Sequence, residues 1–160
     1  LPAPGTTSTD ADTENILSLV REVRAGWPID ERRIFLVGHS DGADFAVRMV
    51  QRGGVVHPFR SVAALSLTAE PALDMEALTQ RFYILHGTRD PVFPVQRLKH
   101  ALNRSVHRHI DALCEAGLHL DLRVVEGMGH AFPPPDEAYR MLMWFHPSLT
   151  LRGEEVPPIP

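Results

Sequence analysis

Short apolar runs alternate with stretches of helical spacing along the chain, and this alternation predicts strands separated by helices. The predicted strands are Ile34–Val37, Val62–Leu67, Phe82–Gly87 and Leu118–Val125. The second run is almost continuously apolar, which is typical of a parallel strand covered on both faces. Strands that alternate with helices pair in parallel through right-handed crossovers. The pattern therefore predicts an α/β domain with a mostly parallel sheet of about four strands flanked by helices.

Apolar residues at 3.6-residue spacing predict the helices between these strands. The predicted helices are one with Ile16, Leu17, Leu19, Val20 and Val23 on a single face, one from Ser40 to about Arg52, one from about Val95 to Ala116, and one from about Asp136 to Phe145. Trp27-Pro28, Gly53-Gly54 and Gly117 supply the stops that helices commonly have. Each predicted strand is thus joined to its neighbour by helical or irregular chain.

Proline and small polar residues mark both ends of the predicted domain. Residues 1–12 are predicted to be an irregular lead-in, residues 1–147 to form a single domain that includes it, and residues 148–160 to be a proline-rich tail. A length of 160 residues with 44% apolar composition suits one domain with its own core. The first residue is Leu1 rather than methionine, so we expect a processed or truncated polypeptide.

Charge and composition exclude several classes of function. The formal net charge is −4 and the basic residues are scattered, which argues against nucleic acid or an anionic membrane as the main partner. No apolar run approaches the ~20 residues that a membrane-spanning helix needs. The single cysteine, Cys114, excludes an internal disulfide and leaves the compartment open.

Gly38-His39-Ser40-Asp41-Gly42 joins the first predicted strand to the helix that follows it. A Gly-x-Ser-x-Gly sequence in this context predicts a sharp turn that projects the serine hydroxyl from the top of the sheet. The two glycines are expected to let strand and helix pass closely. Ser40 is therefore predicted to be a nucleophile, with an ordinary serine in a βα turn as the alternative.

Asp90 and His130 each follow the carboxyl end of another predicted strand, where parallel sheets bind ligands. An imidazole with a pKa near 6.5 can take the proton of a serine hydroxyl, and a carboxylate on its far nitrogen fixes the tautomer. The backbone N–H of Asp41 would face the oxyanion formed on attack. The alternatives are a turn cap before Pro91 for Asp90 and a surface loop residue for His130.

Other residues near the strand ends have less specific roles. His39 is expected to serve in packing or specificity, and His86 to anchor the turn that presents Asp90. Phe93, Met128 and Phe132, together with His39, flank the predicted site and could line an apolar pocket or be structural. The histidines lack the spacing of a ligand set, so no metal is predicted.

Three segments of the chain resemble the α/β-hydrolase superfamily in the order Ser, Asp, His. They are Gly38-His39-Ser40-Asp41-Gly42, His86-Gly87-Thr88-Arg89-Asp90-Pro91-Val92-Phe93-Pro94 and Gly127-Met128-Gly129-His130. The second and third look most like the phospholipase/carboxylesterase and acyl-thioesterase branch, with dienelactone hydrolases close behind. Over about Glu14 to Phe145, the resemblance implies an acylated Ser40, an orienting Asp90, a basic His130 and no cofactor.

The chain departs from this superfamily ahead of the serine. Several strands precede the nucleophile strand in the superfamily, and a loop after one of them supplies a second oxyanion N–H. Residues 1–33 offer a helix but no such strand. Ile34–Val37 would then be a sheet edge, which we expect to pair with a missing N-terminal segment or with another chain.

The resemblance and the motifs together predict a serine hydrolase acting on a small carboxylic ester or thioester. Two alternatives remain open from the sequence. One is an acyltransferase of a biosynthetic pathway, in which an alcohol or amine replaces water. The other is a non-catalytic scaffold or interaction module derived from a hydrolase.

Overall fold

Four parallel strands form one sheet in the computed structural model, which describes residues 10–51, 57–69, 81–103 and 120–146. The strands are β1 (Phe35–His39), β2 (Ser61–Leu65), β3 (Arg81–Gly87) and β4 (Leu120–Val125). Their order in the sheet is the order in the chain, and every neighbouring pair is parallel. The predicted fold class is confirmed.

Helices α1 (Asp10–Gly26), α2 (Asp41–Gln51), α3 (95–103) and α4 (Pro135–Phe145) accompany the strands, and a 3₁₀ turn covers Glu31–Arg33. The prediction of an irregular lead-in up to residue 12 is wrong at its end, because α1 already begins at Asp10. The acidic side chains of Asp10 and Asp12 lie in the first turn, where they interact favourably with the helix dipole. The lead-in before residue 10, the predicted helix beyond residue 103, and the tail lie outside the described residues.

The alternation of side chains along the strands divides the core into two clusters. Val62, Ala64, Phe82 and Ile84 face a cluster shared with α1, α2 and α3. The residues between them on β2 and β3 face the cluster beneath α4, which centres on Met141 and Phe145. Because β2 and β3 are covered on both faces, their sequences are apolar at successive positions.

The β1 side of the sheet is open among the described residues. β1 pairs with β2 and with no other described strand, and Val37 on it is 45% exposed. On α1, Leu17 is buried, whereas Leu19 is 56% exposed and Val23 is also exposed. The apolar face predicted for this helix is therefore only partly covered among the described residues: Leu17, Ile16 and Val20 pack against the core cluster, and Leu19 and Val23 do not. None of the described helices combines the length and apolar character needed to cross a bilayer.

Candidate active site

Ser40 occupies a left-handed turn between β1 and α2. Its φ of 58° is a conformation that costs a residue with a Cβ roughly 1–2 kcal/mol. Two sets of backbone hydrogen bonds hold it there. The Ser40 N–H donates to the Leu65 carbonyl at 3.0 Å, and the Ser40 carbonyl accepts from the N–H groups of Ala43 and Asp44 at 2.8 and 3.3 Å. The end of β1 and the first turn of α2 thus fix the serine between them.

The two glycines of the turn have different surroundings. A Cβ on Gly38 would lie 2.0 Å from the Gly42 carbonyl oxygen, so this position admits no side chain without a backbone shift. A Cβ on Gly42 itself would meet nothing within 4 Å. The expected close passage of strand and helix is therefore present at Gly38, and the structure shows no such requirement at Gly42.

Asp90 lies in a turn after β3 that hydrogen bonds hold on both sides. Its Oδ1 accepts from the N–H groups of Val92 and Phe93 at 2.9 and 3.3 Å, in an Asx-type arrangement. His86 Nε2 lies 2.6 Å from the Phe93 carbonyl oxygen and spans the same turn. The buried Asp90 carboxyl therefore has a fixed orientation, with Oδ2 left for another donor.

His130 lies between Asp90 and Ser40. Its Nδ1 is 2.9 Å from Asp90 Oδ2, and its Nε2 is 2.8 Å from Ser40 Oγ. Because an ionised carboxylate only accepts hydrogen bonds, Nδ1 carries the ring proton and Nε2 can accept from the serine hydroxyl. The structure brings together the three side chains that the sequence placed at the carboxyl ends of separate strands.

The pKa of the Asp90 carboxyl is lowered by its hydrogen bonds. Burial is the largest influence and would raise the pKa, but the bonds from His130 and from the N–H groups of Val92 and Phe93 together outweigh it. Asp90 is therefore ionised at neutral pH, as a partner for the Nδ1 proton of His130.

The four predicted pocket residues separate into two pairs. His39 and Phe132 lie beside His130: their rings stack with centroids 4.2 Å apart, and the His39 ring is 5.5 Å from that of His130. Phe132 is 69% exposed. Phe93 and Met128 pack against the two core clusters instead, although Phe93 also borders a surface cavity of about 670 Å³.

The N–H of Asp41 is the oxyanion donor that the sequence predicts, and it belongs to the first residue of α2. The first N–H groups of a helix have no acceptor within it, so this N–H lies at a helix N-terminus where the dipole favours negative charge.

Sequence reasoning missed two polar residues near the site. Ser66 is fully buried at the end of β2, with φ of 50°, and its Oγ donates to the Ala131 carbonyl at 3.2 Å. Asp44 is buried in α2 and accepts hydrogen bonds from the Thr68 N–H and hydroxyl. Burial raises the pKa of Asp44, while the bonds from Thr68 oppose that rise. The sequence did contain a signal for both residues: Ser66 interrupts the apolar run of the predicted strand Val62–Leu67, and Asp44 is a charged residue among the apolar residues of α2.

Solved structures with the same architecture include proteins that are named as esterases. SOBER1 of Arabidopsis thaliana matches with a TM-score of 0.59 at 17% identity, over 84% of this chain and 61% of that protein. The carboxylesterase of Bacillus cereus gives 0.60 at 15% identity, over 87% and 61%. Esterase PE8 gives 0.58 at 23% identity, over 84% and 62%. No protein-family profile and no curated protein sequence matches the chain.

These likenesses, together with the parallel sheet, show that the chain has the α/β-hydrolase fold. The chain spans about three fifths of the length of each of these three proteins. The resemblance inferred from the three motifs is thus confirmed at the level of the fold.

We expect Gly38→Ala to destabilise the protein by about 1–3 kcal/mol, the usual cost of overpacking, because the added methyl group meets the Gly42 carbonyl. Gly42→Ala is the matched control and should be neutral or slightly stabilising, since alanine favours the helix and has open space. Urea denaturation measures both effects. Equal losses in the two variants would contradict this account of the turn.

Asp44 and Asp90 predict opposite effects of pH on stability. The pKa of Asp44 is raised on folding, so its contribution to the free energy of unfolding falls as the pH rises from 3.8 toward that raised value. The pKa of Asp90 is lowered, so its contribution falls as the pH drops below 3.8. We expect Asp44→Asn to reduce the pH dependence of the free energy of unfolding only above pH 3.8, and Asp90→Asn to reduce it only below pH 3.8. Urea denaturation at successive pH values measures both effects. Reduced pH dependence over the same pH range in both variants would be inconsistent with these pKa shifts.

Proposed function

We propose that this chain belongs to a serine hydrolase that cleaves carboxylic esters or thioesters through an acyl-enzyme on Ser40. The observation that carries the proposal is the continuous hydrogen-bonded path from Asp90 through His130 to Ser40, at 2.9 and 2.8 Å. A buried carboxylate, an imidazole and a serine hydroxyl in this order constitute the arrangement that activates a serine for acyl transfer.

The reaction follows from the positions of the protons. As Ser40 Oγ attacks the substrate carbonyl carbon, His130 Nε2 takes the hydroxyl proton, and Asp90 stabilises the imidazolium. The carbonyl oxygen becomes an oxyanion that the Asp41 N–H can bind. The carbon–oxygen or carbon–sulfur bond to the leaving group then breaks, and His130 returns the proton to that group. Water, activated by the same imidazole, hydrolyses the acyl-enzyme and restores Ser40.

The named functions of the structural neighbours support this proposal. Esterase PE8 and the Bacillus cereus carboxylesterase carry ester hydrolysis in their names, and both share the sheet of this chain. The proposed chemistry uses side chains and backbone N–H groups and requires no metal or organic cofactor. Hydrolysis of an ester is therefore the simplest reaction for which the three side chains and the Asp41 N–H are suited.

Phe132 and His39 offer an apolar surface next to the proposed nucleophile. Phe132 exposes 69% of its surface while its ring stacks on His39. Burial lowers the pKa of His39, and a hydrogen bond with Ala131 opposes that shift. A neutral imidazole under an exposed phenyl ring suits an apolar acyl chain or alcohol group, which we assign to this side of the site.

We further propose that a strand outside the described residues pairs with the open side of β1 and brings the second oxyanion donor. Val37 on β1 is exposed, which gives such a strand an apolar side chain to cover, and α1 has exposed Leu19 and Val23 for the segments that accompany the strand. The length of the chain relative to its structural neighbours agrees with this idea. Either the same polypeptide or another chain could supply the strand.

Intact mass and sedimentation of the native protein distinguish these two sources. A longer polypeptide that sediments as a monomer would place the strand in the same chain, whereas a chain of this length that sediments as a complex would place it in a partner. A native polypeptide that begins at Leu1 and is monomeric would contradict the proposed strand.

A fluorophosphonate probe tests the nucleophile directly. We expect stoichiometric labelling of the native protein, none in Ser40→Ala, and unchanged labelling in Ser18→Ala, which alters an exposed serine of α1. His130→Ala should slow labelling on the order of 10²–10⁴-fold through loss of the general base. A folded native protein that resists the probe and hydrolyses no ester would instead favour the non-catalytic scaffold.

A further inference from the structure

Ser66 repeats at the end of β2 the backbone arrangement that Ser40 has at the end of β1. The two residues have φ values of 50° and 58°, and each follows its strand by one residue. Each also donates its N–H to the last part of the next strand, Ser40 to Leu65 and Ser66 to Leu85, at 3.0 and 2.9 Å. Two adjacent strands therefore end in serines with the same strained conformation.

The left-handed conformation of Ser66 is unfavourable for a residue with a side chain, so the presence of serine at this position needs an explanation. Glycine would adopt this φ without steric cost, whereas a residue with a Cβ pays roughly 1–2 kcal/mol. Ser66 has no exposed surface, so its hydroxyl cannot be hydrogen-bonded to bulk water. Its Oγ donates to the Ala131 carbonyl, and this bond connects the centre of the sheet to the residue after His130.

Among the described residues, the second half of the loop that carries His130 makes few backbone hydrogen bonds to the rest of the protein. Before His130, Met128 is held by bonds to Val125 and from Arg89. After it, residues 133–135 are three prolines, which have no N–H to donate. Ala131 donates its N–H back to Gly129 within the loop itself. Two side chains from the strand ends hold this half of the loop: Ser66, whose Oγ donates to the Ala131 carbonyl, and His39, whose ring stacks on that of Phe132.

We propose that Ser66 is a positioning residue, which keeps His130 Nε2 within hydrogen-bond distance of Ser40 Oγ by holding the Ala131 carbonyl. The inference rests on the proposed function of Ser40, which it extends to a residue that does not contact substrate. Without the hydroxyl, the loop is free to shift outward, and the contact between His130 and Ser40 lengthens. One residue from the carboxyl end of each of β1, β2 and β3 then makes a hydrogen bond to the loop that carries His130; these residues are Ser40, Ser66 and Asp90.

Ser66→Gly separates the hydroxyl from the backbone conformation, because glycine keeps the left-handed φ and loses only the hydrogen bond. We expect this variant to fold and to react with the fluorophosphonate probe on the order of 10-fold more slowly than the native protein. The midpoint of the pH dependence of labelling should also shift. Ser66→Ala should slow labelling similarly.

Ser61→Ala is the matched control, since it removes a buried hydroxyl from the opposite end of β2, and it should react at the native rate.

Proton NMR supplies a readout that needs no turnover. The Nδ1 proton that His130 shares with Asp90 should give a downfield resonance in the native protein and in Ser61→Ala, and this resonance should broaden or disappear in Ser66→Gly.

Ser66→Gly with native labelling rate, pH profile and His130 resonance would overturn the inference and leave Ser66 a stability residue only. If the native protein itself resists the probe, the proposed function fails, and the NMR comparison alone decides the role of Ser66. An unchanged His130 resonance in Ser66→Gly would then reject the positioning role, and a loss of the resonance would support it.

Discussion

The hydrogen-bond ladder of the parallel sheet continues one residue past the strands, and the candidate site depends on this extension. Ser40, Ser66 and Thr88 each donate an N–H to the neighbouring strand, at 2.9 to 3.0 Å. These bonds fix the first residue of each loop relative to the sheet, so that the loops begin at defined positions. Ser40 and the turn that carries Asp90 thus start from fixed positions on the sheet, and each lies within 2.9 Å of a ring nitrogen of His130.

Strong, local signals allowed much of the fold to be predicted from sequence. β2 and β3 are covered on both faces, so their apolar runs identified them despite their short length. The parallel topology then required that residues following different strands meet at one edge, which is where Ser40, Asp90 and His130 lie. That argument uses strand order and direction, and it needs no knowledge of loop conformation.

The remaining features depend on neighbours that a local pattern does not specify. Helical spacing places Leu19 and Val23 on the apolar side of α1, but it does not say how much of that side another element covers. An apolar residue such as Phe93, next to a predicted site, can turn toward the cavity or toward the core, and the Asx turn at Asp90 directs it mainly inward. The conformation of Ser66 leaves no trace in composition, because serine is common where strands end.

The distance along the chain between the paired residues has a consequence for folding. Ser40 and His130 are 90 residues apart, and the histidine follows β4, the last of the described strands. During synthesis the serine turn can form early, whereas its hydrogen bond with His130 must wait until β4 has been made and has docked on β3. Contacts of such high sequence separation close late and slowly. The hydrogen bond between Ser40 and His130 therefore forms only after the four described strands have assembled into a sheet.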